Sequence, residues 1–117
     1  MKNALVYIAG PFRGANAWEV ENNIRDAESY GFKVAEIGAV PVIPHTMYRF
    51  WDGTLTDEFW LAATLETMRR CDAVLLLPNW KRSTGSKAEK AEAIRLGMPV
   101  FESQPFLALR KWLEALP

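Results

Sequence analysis

Apolar residues fall along the chain in two kinds of run: short continuous blocks, and longer stretches spaced to keep one helix face dry. The block at residues 4–9 (ALVYIA) is closed at once by Gly10-Pro11, the pattern of a strand covered on both faces. Asn16 can cap a helix over residues 17–37, in which Val20, Ile24, Ala27, Gly31, Val34 and Ile37 form one apolar face. Gly38 suits the position just past its end. Residues 32–37 would also serve as a strand, but the block at 40–43 (VPVI) already supplies the next one. Pro41 argues for a sheet edge, because proline donates no ladder hydrogen bond.

Residues 45–57 (HTMYRFWDGTLTD) read as a polar, aromatic loop. Thr56 or Asp57 can cap a helix over 58–70, with Phe59, Ala62, Ala63, Leu65 and Met68 available for packing. Residues 73–77 (AVLLL) form the clearest strand and end at Pro78. A loop at 79–86 leads to a helix that reaches about residue 96 and stops at Gly97. Residues 99–101 give a last short strand. Pro105 suits the first turn of a final amphipathic helix that buries Phe106, Leu109, Trp112 or Leu113, and Leu116.

Strands alternating with helices imply a mainly parallel sheet of about four or five strands with helices on both faces. The expected fold is therefore a three-layer α/β/α sandwich, flavodoxin- or Rossmann-like, with a single domain over residues 1–117. In such sheets ligands bind at the carboxyl ends of the strands. That rule singles out the loops at 10–14, 44–53 and 78–86.

Composition supports a folded domain: half of the 117 residues are hydrophobic, including five Trp, six Phe and three Tyr. Fourteen basic residues balance fourteen acidic ones, so no basic excess points to nucleic acid or an anionic membrane. Cys71 is the only cysteine, which rules out an intrachain disulfide and reads as a small core residue. One Lys and a short apolar run at the N-terminus fall short of a signal peptide, and no stretch approaches the ~20 apolar residues of a membrane span. A cytoplasmic protein is expected.

Gly10-Pro11-Phe12-Arg13-Gly14 joins the first strand to the first helix. Its glycines let backbone approach a ligand, and Arg13 can fork onto phosphate or carboxylate. It is neither a Walker loop nor GxGxxG, and an ordinary strand-turn-helix junction would look the same. In the second segment, residues 80–89 (WKRSTGSKAE), Ser83, Thr84 and Ser86 surround Gly85 at a helix start, where free amides can hold an anion or a sugar oxygen. Glu89 follows Gly85 by four residues; a carboxylate near a helix start is also what the helix dipole favours unaided. Glu92, Lys87 and Lys90 read as solvated surface. Tyr7 could donate its hydroxyl to a carboxylate in the cleft, or simply pack. His45 follows Pro44 at the end of the second strand and fits a sugar or base contact, or a loop hydrogen bond. As the only histidine it cannot build a metal cage, and no metal or cofactor is expected. Asp72 sits at the amino end of its strand and reads as structural.

Taken together, VYIAGPF, CDAVLLLPNW and STGSKAE ahead of AIRLGMPVF resemble the nucleoside 2-deoxyribosyltransferase-like superfamily, over residues 5–101. The likeness is greatest to its small, poorly characterised bacterial and phage branch, in which a PHT-type loop and an FW-rich helix also occur. The resemblance implies that Glu89 is a nucleophile on the anomeric carbon and that Tyr7 orients it. It implies that Arg13, Gly14, Ser83 and Ser86 hold a 5′-phosphate, with Gly10, Phe12, His45, Trp80 and Gly85 completing the substrate site. Two positions depart from the transferases: Ser83 stands where an Asp precedes the nucleophile by six residues, and Thr64 where the preceding helix carries an acid. Both changes remove groups that handle the base or support the leaving group, which favours hydrolysis or binding alone over base exchange.

The expected function is an N-glycosidase, or a deoxyribosyltransferase-like enzyme, acting on a nucleoside or nucleoside 5′-monophosphate by way of a covalent glycosyl-enzyme. The alternative is a nucleotide-binding or sensing module without chemistry. A homo-oligomer, a dimer or larger, is expected from the resemblance and from the surplus of large apolar residues at 45–62.

Overall fold

Two of the apolar blocks, β1 (Leu5–Ala9) and β3 (Ala73–Leu76), lie side by side at the centre of a parallel sheet. The sheet is completed by β2 (Val40–Val42) beside β1 and β4 (Val100–Glu102) beside β3, giving the order β2-β1-β3-β4. The computed structural model describes residues 3–117; Lys2, the charge weighed against a leader peptide, lies outside the described residues. Registers pair Tyr7 with Val42 on one side and with Val74 on the other, and Val74 in turn with Val100. Pro41 sits on the edge strand β2, where its missing N–H breaks no inner ladder.

The helices are α1 (Ala17–Glu36), the single turn α2 (Pro44–Met47), α3 (Asp57–Arg69), α4 (Thr84–Arg95) and α5 (Leu107–Glu114). Side chains alternate along the strands and so build two cores. Val6, Ile8, Leu75 and Leu77 pack with Ala27 and Val34 of α1 and with Leu109 and Leu113 of α5. Tyr7, Ala9, Val74 and Leu76 pack with Met68 of α3 and Ala93 of α4. The result is the expected α/β/α sandwich. No helix among the described residues is long and apolar enough to cross a membrane.

The periodic face of α1 is buried at Ile24, Ala27, Gly31 and Val34, and Asn16 caps it by accepting from the Glu19 amide. A Cβ on Gly31 would lie 2.4 Å from Ile43 Cδ1, so this glycine lets α1 approach the edge strand. Three expectations shift. The loop at 45–57 contains α2, begun by Pro44 at its first position. The helix expected after Ser86 begins at Thr84, because the Ser83 hydroxyl accepts from the Ser86 amide as its N-cap. Pro105 precedes α5 rather than entering its first turn: α5 starts at Leu107, and the Ala108 N–H reaches back to the Pro105 carbonyl at 3.2 Å.

Asp72 accepts from the Leu5 amide at 2.8 Å, tying β1 to β3 at the amino end of the sheet. In this strand order β2 lies on one side of β1 and β3 on the other, so the carboxyl ends of β1 and β3 form the topological switch point. The cleft opens there.

Candidate active site

Alternation along β1 turns Tyr7 toward the layer of α3 and α4, where it is completely buried. Along α4, Ser86, Glu89 and Ala93 share the buried face, at helical spacing. Glu89 is only 6% exposed and is the sixth residue of α4, beyond the first turn where the dipole acts most strongly. A solvated dipole role therefore does not describe it. The Tyr7 hydroxyl donates to Glu89 Oε2; Thr64 of α3 lines the cavity beside them, its hydroxyl donating to the Leu61 carbonyl at 3.1 Å.

Burial is the main force on this group. It pushes the Glu89 carboxyl up to about 7, opposed by the hydrogen bond from Tyr7. Burial also raises the Tyr7 phenol well above its ordinary value, and the neighbouring carboxylate adds to this. The tyrosine thus keeps its proton and remains a donor. An ionic clamp from outside fixes the helix that carries Glu89: Arg69 of α3 bonds Glu92 of α4 at 2.8 Å, and Arg95 bonds the same carboxylate at 2.8 and 2.9 Å. Glu92 is therefore an inter-helix tie as well as surface.

Tyr7 and Glu89 line a cavity of about 450 Å³ at the carboxyl ends of β1, β2 and β3. The first loop contributes Gly10, Phe12 and Arg13, the second Pro44, His45 and Tyr48, and the third Arg82 through Ser86. From α3 come Asp57, Trp60, Leu61 and Thr64. Three buried polar atoms of these lining residues have no partner among the described residues: His45 Nδ1, Trp60 Nε1 and Ser86 Oγ. Such groups, closed off from solvent behind the cavity wall, are costly when left unpaired.

His45 Nε2 lies 3.1 and 3.0 Å from the carbonyl oxygens of Gly10 and Pro11. That geometry makes Nε2–H the donor and leaves Nδ1 as a bare acceptor. Burial lowers the imidazole from its ordinary value, against the pull of the two carbonyls, which favours this neutral form. His45 makes the loop hydrogen bonds and also lines the cavity. Arg13 forks onto Asp57 at 2.5 and 3.1 Å, with both side chains largely exposed. Arg82 shows no ion pair among the described residues.

The two loop glycines differ. A Cβ on Gly10 would strike the Leu77 side chain at 2.5 Å, so packing alone demands glycine there. A Cβ on Gly85 would meet nothing nearer than Ser83 Oγ at 3.8 Å. The fold does not need a glycine at 85, yet one leaves the cavity wall open.

Of the residues singled out in the sequence, Tyr7, Gly10, Phe12, Arg13, His45, Ser83, Gly85, Ser86 and Glu89 converge on one cavity. Two stand elsewhere. Gly14 packs against Glu19, where an added Cβ would lie 2.5 Å from Glu19 Cβ. Trp80 is 8% exposed in the core beside α4, with its indole N–H donating to Glu102 at 3.3 Å and Lys90 over its ring at 4.3 Å. Tyr48, Asp57, Trp60, Leu61 and Arg82 join the site without having been singled out for it. The spacing of Trp60, Leu61 and Thr64 on one helix face was the available signal. Cys71 stays out of the cavity lining; it is half-buried, and burial pushes its thiol up to about 11.

Residues 4–103 match the family described as Domain of unknown function (DUF7768), and the chain belongs to that family. No curated protein matches it. Among solved structures it is similar to one titled 2-desoxiribosyltransferase from Leishmania mexicana, with a TM-score of 0.60 and 20% sequence identity. The likeness covers 85% of this chain, which spans 63% of the length of that structure. The two share a fold.

Proposed function

We propose that this chain hydrolyses the N-glycosidic bond of a nucleoside 5′-monophosphate, or of the nucleoside itself, with Glu89 as the nucleophile. The observation that carries the proposal is the buried Tyr7–Glu89 hydrogen bond in a cavity rimmed by the N-terminus of α4. Glu89 attacks the anomeric carbon as its bond to the base nitrogen breaks; water then hydrolyses the glycosyl ester. Tyr7 is the positioning residue, holding Oε2 so that the carboxylate keeps one orientation. Thr84 and Gly85 offer first-turn amides without helical acceptors, and Arg82 and Arg13 stand in the same cavity to take a phosphate. The fold shared with a 2-desoxiribosyltransferase supports nucleoside chemistry of this kind. The test is release of free base from a panel of nucleosides and nucleoside monophosphates, followed by chromatography; no release from any of them rejects the proposal.

A second reading, nucleotide binding without chemistry, is favoured by the uncharged Thr64 and Ser83 on either side of Glu89. Ligand-induced thermal stabilisation with no product separates it from hydrolysis. The proposal also includes self-association: Phe50, Trp51, Leu55 and Phe59 are exposed in the segment that walls the cavity, Phe50 by 84%. Sedimentation at micromolar concentration tests this, and a monomer contradicts it.

A further inference from the structure

If Glu89 opens the glycosidic bond as proposed above, the cleaved C–N bond leaves its electron pair on the base nitrogen. A neutral base departs readily only when an acid protonates it. Among the described residues, no carboxyl or imidazole in the cavity is set to do so. Glu89 is the attacking group, and the Tyr7 hydroxyl is engaged as hydrogen-bond donor to Glu89. His45 commits Nε2–H to the carbonyls of Gly10 and Pro11, and its Nδ1 is buried without a proton to give. Asp57 is forked by Arg13 at the rim. Asp52, the remaining carboxyl, stands on an exposed turn.

The walls also suit a positive ring. Phe12, Tyr48 and Trp60 are aromatic residues of the lining, the rings of Tyr48 and Trp60 packed with centres 5.1 Å apart. Aromatic rings attract cations. The cavity's own cations, Arg13 and Arg82, leave a phosphate well provided for.

We infer that the substrate is a nucleotide whose base is a cationic heteroaromatic ring, a pyridinium or an N7-alkylated purine, which leaves as a neutral base without needing a proton. This rests on the hydrolase reading. A Glu89 carboxylate oxygen bonds to C1′ while the C1′–N bond breaks, and its electron pair neutralises the ring. Water then adds at C1′, the ester C–O bond returns its electrons to Glu89, and the surplus proton passes to solvent. Each turnover consumes one water and releases one proton.

The test compares nicotinamide mononucleotide, 7-methylguanosine 5′-monophosphate and unmethylated guanosine 5′-monophosphate, following free base and proton release together. The expected result is a kcat/KM at least about 100-fold higher for a cationic substrate than for guanosine monophosphate, the scale of the general acid that is missing. One proton should appear per base, and the pH profile should rise through the Glu89 ionisation with no falling alkaline limb. Turnover of the nicotinamide compound alone identifies a pyridinium substrate; turnover of the methylated purine alone identifies an alkylated one. Equal, Glu89-dependent turnover of guanosine monophosphate overturns the inference and leaves the hydrolase reading standing. No base from any of the three in wild type overturns the inference, and release from other members of the wider panel then keeps the hydrolase reading. If Asp52→Asn lowers kcat about 100-fold and abolishes a falling alkaline limb, Asp52 is the acid and the inference fails.

Discussion

The Tyr7 hydroxyl reaches Glu89 Oε2 across 82 positions of sequence, joining the central strand β1 to the helix that follows β3. Strand alternation aims the donor and helical spacing aims the acceptor; the parallel pairing of β1 with β3 brings them together.

Tyr7→Phe removes the strongest bond that favours ionised Glu89. A hydrogen bond to a charged group is worth about 1.5–3 kcal/mol, so the rising limb of the kcat/KM profile should move about one pH unit or more to the alkaline side. A pH–rate profile of the variant checks this. A lower rate with an unmoved limb would show that Tyr7 does not act through Glu89.

The same burial gives a stability signature. The folded carboxyl titrates at about 7, above its ordinary value of 4.5. Its contribution to stability is therefore fully present below about pH 4.5 and is lost as the pH rises through 7. At pH 8, holding Glu89 ionised in the fold costs up to about 3 kcal/mol, and Glu89→Gln removes that cost. The variant should melt several degrees above wild type at pH 8 and show a smaller gain at pH 5. Equal gains at both values would place Glu89 in a solvated setting.

The sheet, its edge proline, the Asn16 cap and the buried face of α1 were all legible, because each depends on local spacing. The meeting of Tyr7 with Glu89 was legible only through the family resemblance: either residue alone has a bland explanation. Trp60 was hidden for a different reason. An aromatic-rich stretch looks like surplus surface until the fold of α2 and α3 shows that Tyr48 and Trp60 face the cavity while Phe50 faces solvent. Trp80 shows the reverse. Its place in a chemistry-bearing segment suggested a ligand contact, but the short helical turn at Trp80–Arg82 drives the indole into the core.

Trp80 should therefore behave as a stability residue. Trp80→Ala should cost about 3–5 kcal/mol, while Trp80→Phe, which keeps most of the packing and loses the bond to Glu102, should cost about 1 kcal/mol. Denaturant melts give both figures. The KM of Trp80→Phe should match wild type; a large rise in KM would return Trp80 to the binding site.

Arg13 is held by Asp57 through an exposed fork, a kind of pair worth at most about 1 kcal/mol and readily exchanged. Asp57→Asn should free Arg13 for phosphate and lower KM for nucleoside monophosphates a few-fold, with little change for nucleosides. Steady-state kinetics on matched pairs decides this. A rise in KM for both would make Asp57 itself a substrate contact.

The nucleophilic role of Glu89 is tested most directly by trapping. A 2′-fluoro-2′-deoxy analogue of a turned-over nucleotide slows breakdown of the ester, and mass spectrometry of the intact protein and its peptides locates the adduct. The expected result is one glycosyl group per chain, on Glu89, absent from Glu89→Gln, with base release abolished in that variant. Turnover that persists in Glu89→Gln, or an adduct on any other residue, would contradict the assignment.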